Sequence, residues 1–189
     1  MINYPTIVVE DFFNNPDNVV KISKSVDYYT PKKGENWPGF RSKNLLITHK
    51  NLFEFICKKV LSLYYDFHYD KVGYDNVEIL FHKFNYKDEK DVKGIIHTDH
   101  KQLAGVIYLN KNINDENTGT SIYDKNKKRI VKVSNNYNTL VAYDGQMNHG
   151  MTGFNNEERL TIVIFFEKII SKNPPLQRFE PYKWGIESI

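Results

Sequence analysis

The stretch Val77-Glu-Ile-Leu-Phe-His-Lys-Phe84 marks the point at which the chain changes its pattern. From Asn76 onward the apolar residues come in short or alternating runs, the signature of strands divided by turns. Further runs follow at 95–97, 103–109, 120–123, 130–133, 139–143 and 160–166. Polar, turn-prone segments separate them at 87–93, 110–119, 124–128 and 134–138. Seven or eight such strands predict a mainly β protein, a sandwich or jelly roll buttressed by helices.

Upstream of that boundary the spacing is different. A short strand is predicted at 6–9. Asn14, Asn15 and Pro16 then form a capping signal that leads into Val19, Ile22 and Val26 at helical spacing. Residues 29–42 hold Pro31, Gly34, Pro38 and Gly39 and are read as loop. A second helix is predicted over 52–67, with Leu52, Phe55, Ile56, Val60, Leu63, Tyr64 and Phe67 on one stripe. That stripe needs an apolar partner, and a sheet face is the natural one. No repeat or linker divides the chain, so residues 1–189 read as one domain. It has a helical support region (about 1–75), a β core (about 76–168) and an irregular tail (169–189).

Composition narrows the function. A formal charge of +3 is too small to be a nucleic-acid footprint, although an acidic substrate stays open. Nucleic-acid contact by the basic tip Lys125, Lys127, Lys128 and Arg129 is not favoured; a solvated hairpin is. Cys57 is the only cysteine and falls in the apolar helical pattern, which suggests a buried thiol in a reducing compartment. The N-terminus lacks a signal-peptide pattern, and the longest apolar run, 160–166, is far too short for a membrane span. The expected location is cytoplasmic, with no membrane partner; the oligomeric state is not legible.

The chemistry concentrates in Ile95-Ile-His97-Thr-Asp99. On a strand, His97 and Asp99 would point to one face, offering an imidazole and an anionic oxygen to a single ion. A third ligand from a distant strand would leave three octahedral positions open, the two-histidine, one-carboxylate arrangement of non-heme iron oxygenases. His149, in the turn-rich segment Asp144-Gly-Gln-Met-Asn-His-Gly150, is the candidate. The dyad alone is a weak signal, because His68-Tyr-Asp70 repeats it at a helix end, where a structural role fits. Arg159 opens the most apolar strand, and a guanidinium there is costly unless it meets an anion. The alternative is a pair with Glu157 or Glu158. Thr161 lies on the same strand face and could add a hydroxyl. The segment Trp37-Pro-Gly-Phe-Arg-Ser42 could line a substrate entrance or cover the barrel as a turn.

Taken in order, His97-x-Asp99, His149 and Arg159 resemble the 2-oxoglutarate/Fe(II)-dependent dioxygenase superfamily, and within it the small prolyl-4-hydroxylase-like branch of bacteria and phage. Leu103-Ala-Gly-Val-Ile-Tyr-Leu-Asn110 and Gly119-Thr-Ser-Ile-Tyr123 are similar to strands of those enzymes, with Thr118 where one glycine would stand. The resemblance spans about Val77 to Lys168. It implies a double-stranded β-helix (jelly roll, cupin-like) that holds Fe(II) on His97, Asp99 and His149. Arg159 would bind the distal carboxylate of 2-oxoglutarate, aided by Thr161 or by Tyr86. It also implies a hydroxylase that consumes O2 and yields succinate, with ascorbate as an optional reductant and a peptide or small molecule as substrate. Asp99 argues for hydroxylation over halogenation, which needs that position vacant. A cupin-like isomerase, a zinc hydrolase or a sensor on the same fold stays open as a rival.

Overall fold

The computed structural model describes residues 4–33, 35, 37–85, 96–111, 115–152 and 158–176. In chain order, β1 (Ile7–Val9) leads into α1 (Pro16–Lys24), β2 (Tyr28–Tyr29) and β3 (Phe40–Ser42). Helices α2 (Leu45–Thr48) and α3 (Lys50–Ser62) precede β4 (Gly73–Asn85). Then come β5 (Leu103–Tyr108), β6 (Asp115–Tyr123), β7 (Arg129–Asn135), β8 (Leu140–Asp144), β9 (Asn148–Thr152) and β10 (Glu158–Ile170). The strands form a seven-stranded sheet, β1-β8-β5-β10-β4-β3-β2, and a three-stranded sheet, β7-β6-β9. The protein is mainly β, a double-stranded β-helix or jelly roll with flanking helices.

Two apolar layers follow from the pleat of the large sheet, since alternate residues of a strand face opposite ways. Ile79, Phe81, Ile107, Ile162, Ile164 and Phe166 turn to one side and bury against Phe53, Ile56, Cys57, Val60 and Leu61 of α3. Burial pushes the Cys57 thiol up to about 12, the behaviour of an inert core group. On the other side Val106, Tyr108, Val141, Tyr143 and Val163 meet Ile122 and Val133 of the small sheet. The cavity described below opens beside this second layer.

Several local expectations change. Helix α3 stops at Ser62, short of Phe67, because Tyr64 and Tyr65 turn inward onto Tyr4. The hydroxyls of Tyr4 and Tyr65 lie 2.7 Å apart, and the Tyr64 hydroxyl donates to the Pro5 carbonyl at 3.1 Å. Residues 29–42 are not all loop: β2 and β3 join the sheet edge, where β3 pairs with β4 and Ser42 Oγ accepts from the Phe81 N–H at 3.0 Å. The part of the tail up to Ile170 belongs to β10. Among the described residues, no helix is long and apolar enough to cross a membrane.

Asn138 ties the N-terminal segment to the β7–β8 turn. Its backbone is left-handed (φ +60°), a conformation Asn tolerates better than most residues. Its amide accepts from the Phe13 N–H and donates to the Phe13 carbonyl, both at 2.9 Å and both buried. Asn138→Ala strands these two groups, at about 1–3 kcal/mol each. A loss on the order of 3 kcal/mol is expected, read as a lower urea midpoint with an unchanged denaturant slope.

Candidate metal centre and its cavity

His97 and His149 meet across the mouth between the sheets. Each backbone N–H donates to the other's carbonyl at 2.9 Å, an isolated antiparallel bridge. This pairing sets the two rings 4.4 Å apart, centroid to centroid. His149 sits on β9, held in register opposite Ile122 of β6. The segment is therefore a strand, where the sequence suggests a turn.

Asp99 reaches the same point by a different route from the one expected. The chain leaves strand geometry after the bridge, and His100 is already left-handed (φ +54°). The Asp99 N–H instead donates to the Gly145 carbonyl at 3.0 Å. Its carboxylate then faces both histidines, with Oδ1 3.5 Å from His97 Nε2 and Oδ2 3.2 Å from His149 Nε2. Among the described residues, the candidate ligand atoms of His97, Asp99 and His149 all lie within 4.8 Å of one another. Donors about 2.1 Å from one ion and at right angles to each other lie about 3 Å apart, close to these separations.

Two further observations fit a cation. Asp99 Oδ2 is buried yet lacks the aligned hydrogen bond that its short distance to His149 would allow. On His149, Nδ1 lies 3.0 Å from the Met147 carbonyl and is best placed to donate to it, which leaves Nε2 as a lone-pair donor toward Asp99. Burial pushes the Asp99 carboxyl up, but the hydrogen bonds and charges of His149 and His97 outweigh it. The group is held well below the usual carboxylate range. It is an anion at any ordinary pH, as a metal ligand must be.

A cavity of about 470 Å³ opens from these residues, within the range of about 300–1,000 Å³ for small-molecule sites. Arg159 lines it from β10. Its guanidinium lies over the Tyr108 ring at 5.5 Å, and Nη1 reaches Met151 Sδ at 3.1 Å. Nε is buried with no hydrogen-bond partner, and no described carboxylate sits within ion-pairing distance. Glu157, the alternative partner, lies outside the described residues, and Glu158 makes no such pair. The Tyr108 hydroxyl donates to Thr120 Oγ1 at 2.7 Å, so Tyr108 is both core and the platform beneath Arg159. Thr161 is fully buried with its hydroxyl toward the His82 carbonyl at 3.4 Å, and Tyr86 lies outside the described residues. Asp70 is a turn residue: its carboxylate accepts from the Asp66 N–H at 3.0 Å and from the Asn173 amide.

Three contributors are hard to see in the sequence. Tyr143 stacks at 4.6 Å against His149. His82 and Arg41 line the same cavity, with Trp37 and Pro38 beside them. Alternation along β4 carries a usable signal for His82, since Val77, Ile79 and Phe81 claim the other face.

The sequence matches the model of a family of unknown function, DUF6445, over residues 2–139, and the chain belongs to that family. His97 and Asp99 fall inside the matched span; His149 and Arg159 lie beyond it. No curated protein matches the sequence. Among solved structures, a prolyl hydroxylase from Trichoplax adhaerens, in complex with a hypoxia inducible factor oxygen degradation domain peptide fragment, is similar in fold. It is 13% identical, with 86% of this chain and 83% of that one covered and a TM-score of 0.61. A Pseudomonas putida prolyl-4-hydroxylase is 12% identical, with 87% and 93% covered and a TM-score of 0.51. HygX from Streptomyces hygroscopicus, solved with nickel, 2-oxoglutarate and hygromycin B, is 10% identical, with 87% and 83% covered and a TM-score of 0.54. These proteins share the fold of this chain.

His82 supplies a pH signature for this region. Burial, with the charges of Arg41 and Arg159, pulls its imidazole down to about 3 despite the Pro38 carbonyl 2.6 Å from Nε2. Its ordinary value is 6.5, so between about 6.5 and 3 the unfolded chain binds a proton that the folded protein refuses. That stability is present above 6.5 and is lost as pH falls through the window, by up to about 1.4 kcal/mol per pH unit. His82→Gln keeps a donor for Pro38 and removes the titration. Urea unfolding at pH 7.5 and 5 is expected to show a smaller acid loss in the variant; equal losses would remove this account.

Proposed function

We propose that this member of the DUF6445 family is an Fe(II)- and 2-oxoglutarate-dependent dioxygenase that hydroxylates a C–H bond of an organic substrate. One observation carries the reading: a buried guanidinium without a carboxylate partner among the described residues shares a cavity with a His-Asp-His cluster whose carboxylate has an orphaned oxygen. A metal site alone would not need such an arginine. When bound, iron(II) with 2-oxoglutarate and O2 supplies the oxidising chemistry, in which 2-oxoglutarate loses CO2 to become succinate and one oxygen atom enters the substrate.

The chain's own residues bind and orient. His97, Asp99 and His149 would occupy one face of the ion and leave the opposite face to co-substrate and O2. The Met147 carbonyl fixes the ring of His149, and Gly145 fixes the backbone of Asp99. Arg159 would fork the distal carboxylate of 2-oxoglutarate, with the Tyr108 ring beneath it and the Thr120 hydroxyl holding that ring in place. The apolar wall of Val106, Val163 and Phe165 would exclude water from the reacting centre. The substrate class is not given by the fold, since the similar structures hold partners as different as a peptide fragment and hygromycin B.

The test is succinate formation from 2-oxoglutarate with Fe(II), ascorbate and O2, without added substrate. Wild type is expected to turn over slowly, and Asp99→Ala to abolish both turnover and Mn(II) binding seen by electron paramagnetic resonance. Arg159→Ala should raise the 2-oxoglutarate concentration needed by about ten- to a hundredfold, the loss of one charge-assisted contact. Tightly held zinc with neither turnover nor 2-oxoglutarate binding would replace the oxygenase by a metal site of another class.

A further inference from the structure

Two guanidinium groups look into the cavity, and the oxygenase reading uses one. The second belongs to Arg41 on β3, paired with His82 of β4 in the ladder. Its approach is rigidly built. Gly39 is left-handed (φ +76°), and a Cβ there would fall 2.1 Å from the Lys83 carbonyl oxygen, so only glycine lets the segment lie this close to β4. The Pro38 carbonyl, 2.6 Å from His82 Nε2, anchors the same stretch.

The guanidinium is held by its faces. It lies 4.6 Å from the centroid of the Trp37 ring and 5.6 Å from that of Phe165. Such contacts compensate part of the cost of burial and leave the in-plane N–H edge unused. Arg41 Nε is buried with no hydrogen-bond partner, and no described carboxylate lies within ion-pairing distance. Burial lowers the proton affinity of the group, against the more distant charges of Asp99, Glu78 and Glu35. A planar donor edge without an anion is poised to receive one.

Counting anions decides which. 2-Oxoglutarate has two carboxylates; in the proposed function one goes to the metal and the other to Arg159. We propose that Arg41 receives a carboxylate of the prime substrate, so that the substrate is a small organic monocarboxylate with an apolar body. This rests on the oxygenase reading of the site. The body would lie along Trp37, Pro38, Val106, Val163 and Phe165. A dianion such as a phosphate ester fits poorly: Lys101, the other flexible cation of the lining, is taken by Glu167 at 3.1 Å, and Asp99 and Glu78 border the cavity.

The test uses the full chain loaded with Mn(II) and N-oxalylglycine, an unreactive analogue of 2-oxoglutarate. Benzoate, phenylacetate and hippurate are each titrated beside their primary amides, followed by manganese-induced broadening of the ligand's proton lines. At least one acid is expected to bind saturably and at least tenfold better than its amide. Arg41→Gln should weaken that acid tenfold or more and leave the amide unchanged, and Arg41→Lys should recover part of the loss. The thermal midpoint of Arg41→Gln should not fall, because the variant removes a buried charge without a partner. Acids and amides that bind alike, no acid binding at all, or an Arg41→Gln protein that holds the acid as wild type does would overturn the proposal. Failure to take up Mn(II) or N-oxalylglycine would sink the oxygenase reading instead. The acid–amide comparison on metal-free protein, by saturation transfer from protein to ligand, then decides whether Arg41 is an anion site.

Discussion

The period of two along β10 is the constraint on which the rest of the molecule depends. This strand is hydrogen-bonded on both sides, to β4 and to β5, so its register cannot shift without breaking two ladders. Leu160, Ile162, Ile164 and Phe166 fill the helix-side core, while Arg159, Val163 and Phe165 line the cavity. A slip of one residue would bury the guanidinium against α3 and turn leucine toward the metal. Two side chains guard against it. Asn110 accepts from the Leu160 N–H at 2.8 Å and donates to the Glu158 carbonyl at 2.7 Å. At the far end Gln102 accepts from the Ile169 N–H at 2.6 Å. The core and the site are thus two faces of one register.

That coupling explains what the sequence reveals. The strands of the large sheet are legible because burial on one or both faces writes alternation or an unbroken apolar run into them, as in 77–84, 103–109 and 160–166. Arg159 stands out against such a run for the same reason. The elements that escape notice owe their form to distant partners. β9 reads as Asn-His-Gly-Met-Thr, with none of the usual strand formers before Thr152, and becomes a strand only by pairing with β6. β2 and β3 are short edge pieces in a proline- and glycine-rich stretch, recruited by β4. Asp99 shows a right residue reached by a wrong route, since a carbonyl from the β8–β9 turn places it where pleating does not.

The same logic separates the two arginines. Arg159 can be noticed from its neighbours in sequence, because a charge inside an apolar strand is locally anomalous. Arg41 sits among Trp37, Pro38, Gly39 and Phe40, where a charge is unremarkable. Its anomaly exists only in three dimensions, as a guanidinium stacked on rings that come from β10 and from its own loop.

The charge balance of the cavity points outward from these placements. Asp99 is the one carboxylate inside the cluster, and a divalent ion there would leave that cluster positive. Arg159 and Arg41 add two more cations in surroundings that burial makes costly for both. Folding tolerates this because the register of β10 and the β3–β4 pairing hold the guanidinium groups in place whether or not anions are present. Each unmatched charge then becomes binding energy for a ligand of opposite sign, which gains an ion pair without having to displace an internal one. The fold thereby stores its selectivity as an imbalance, sited where regular strands end and edge segments begin.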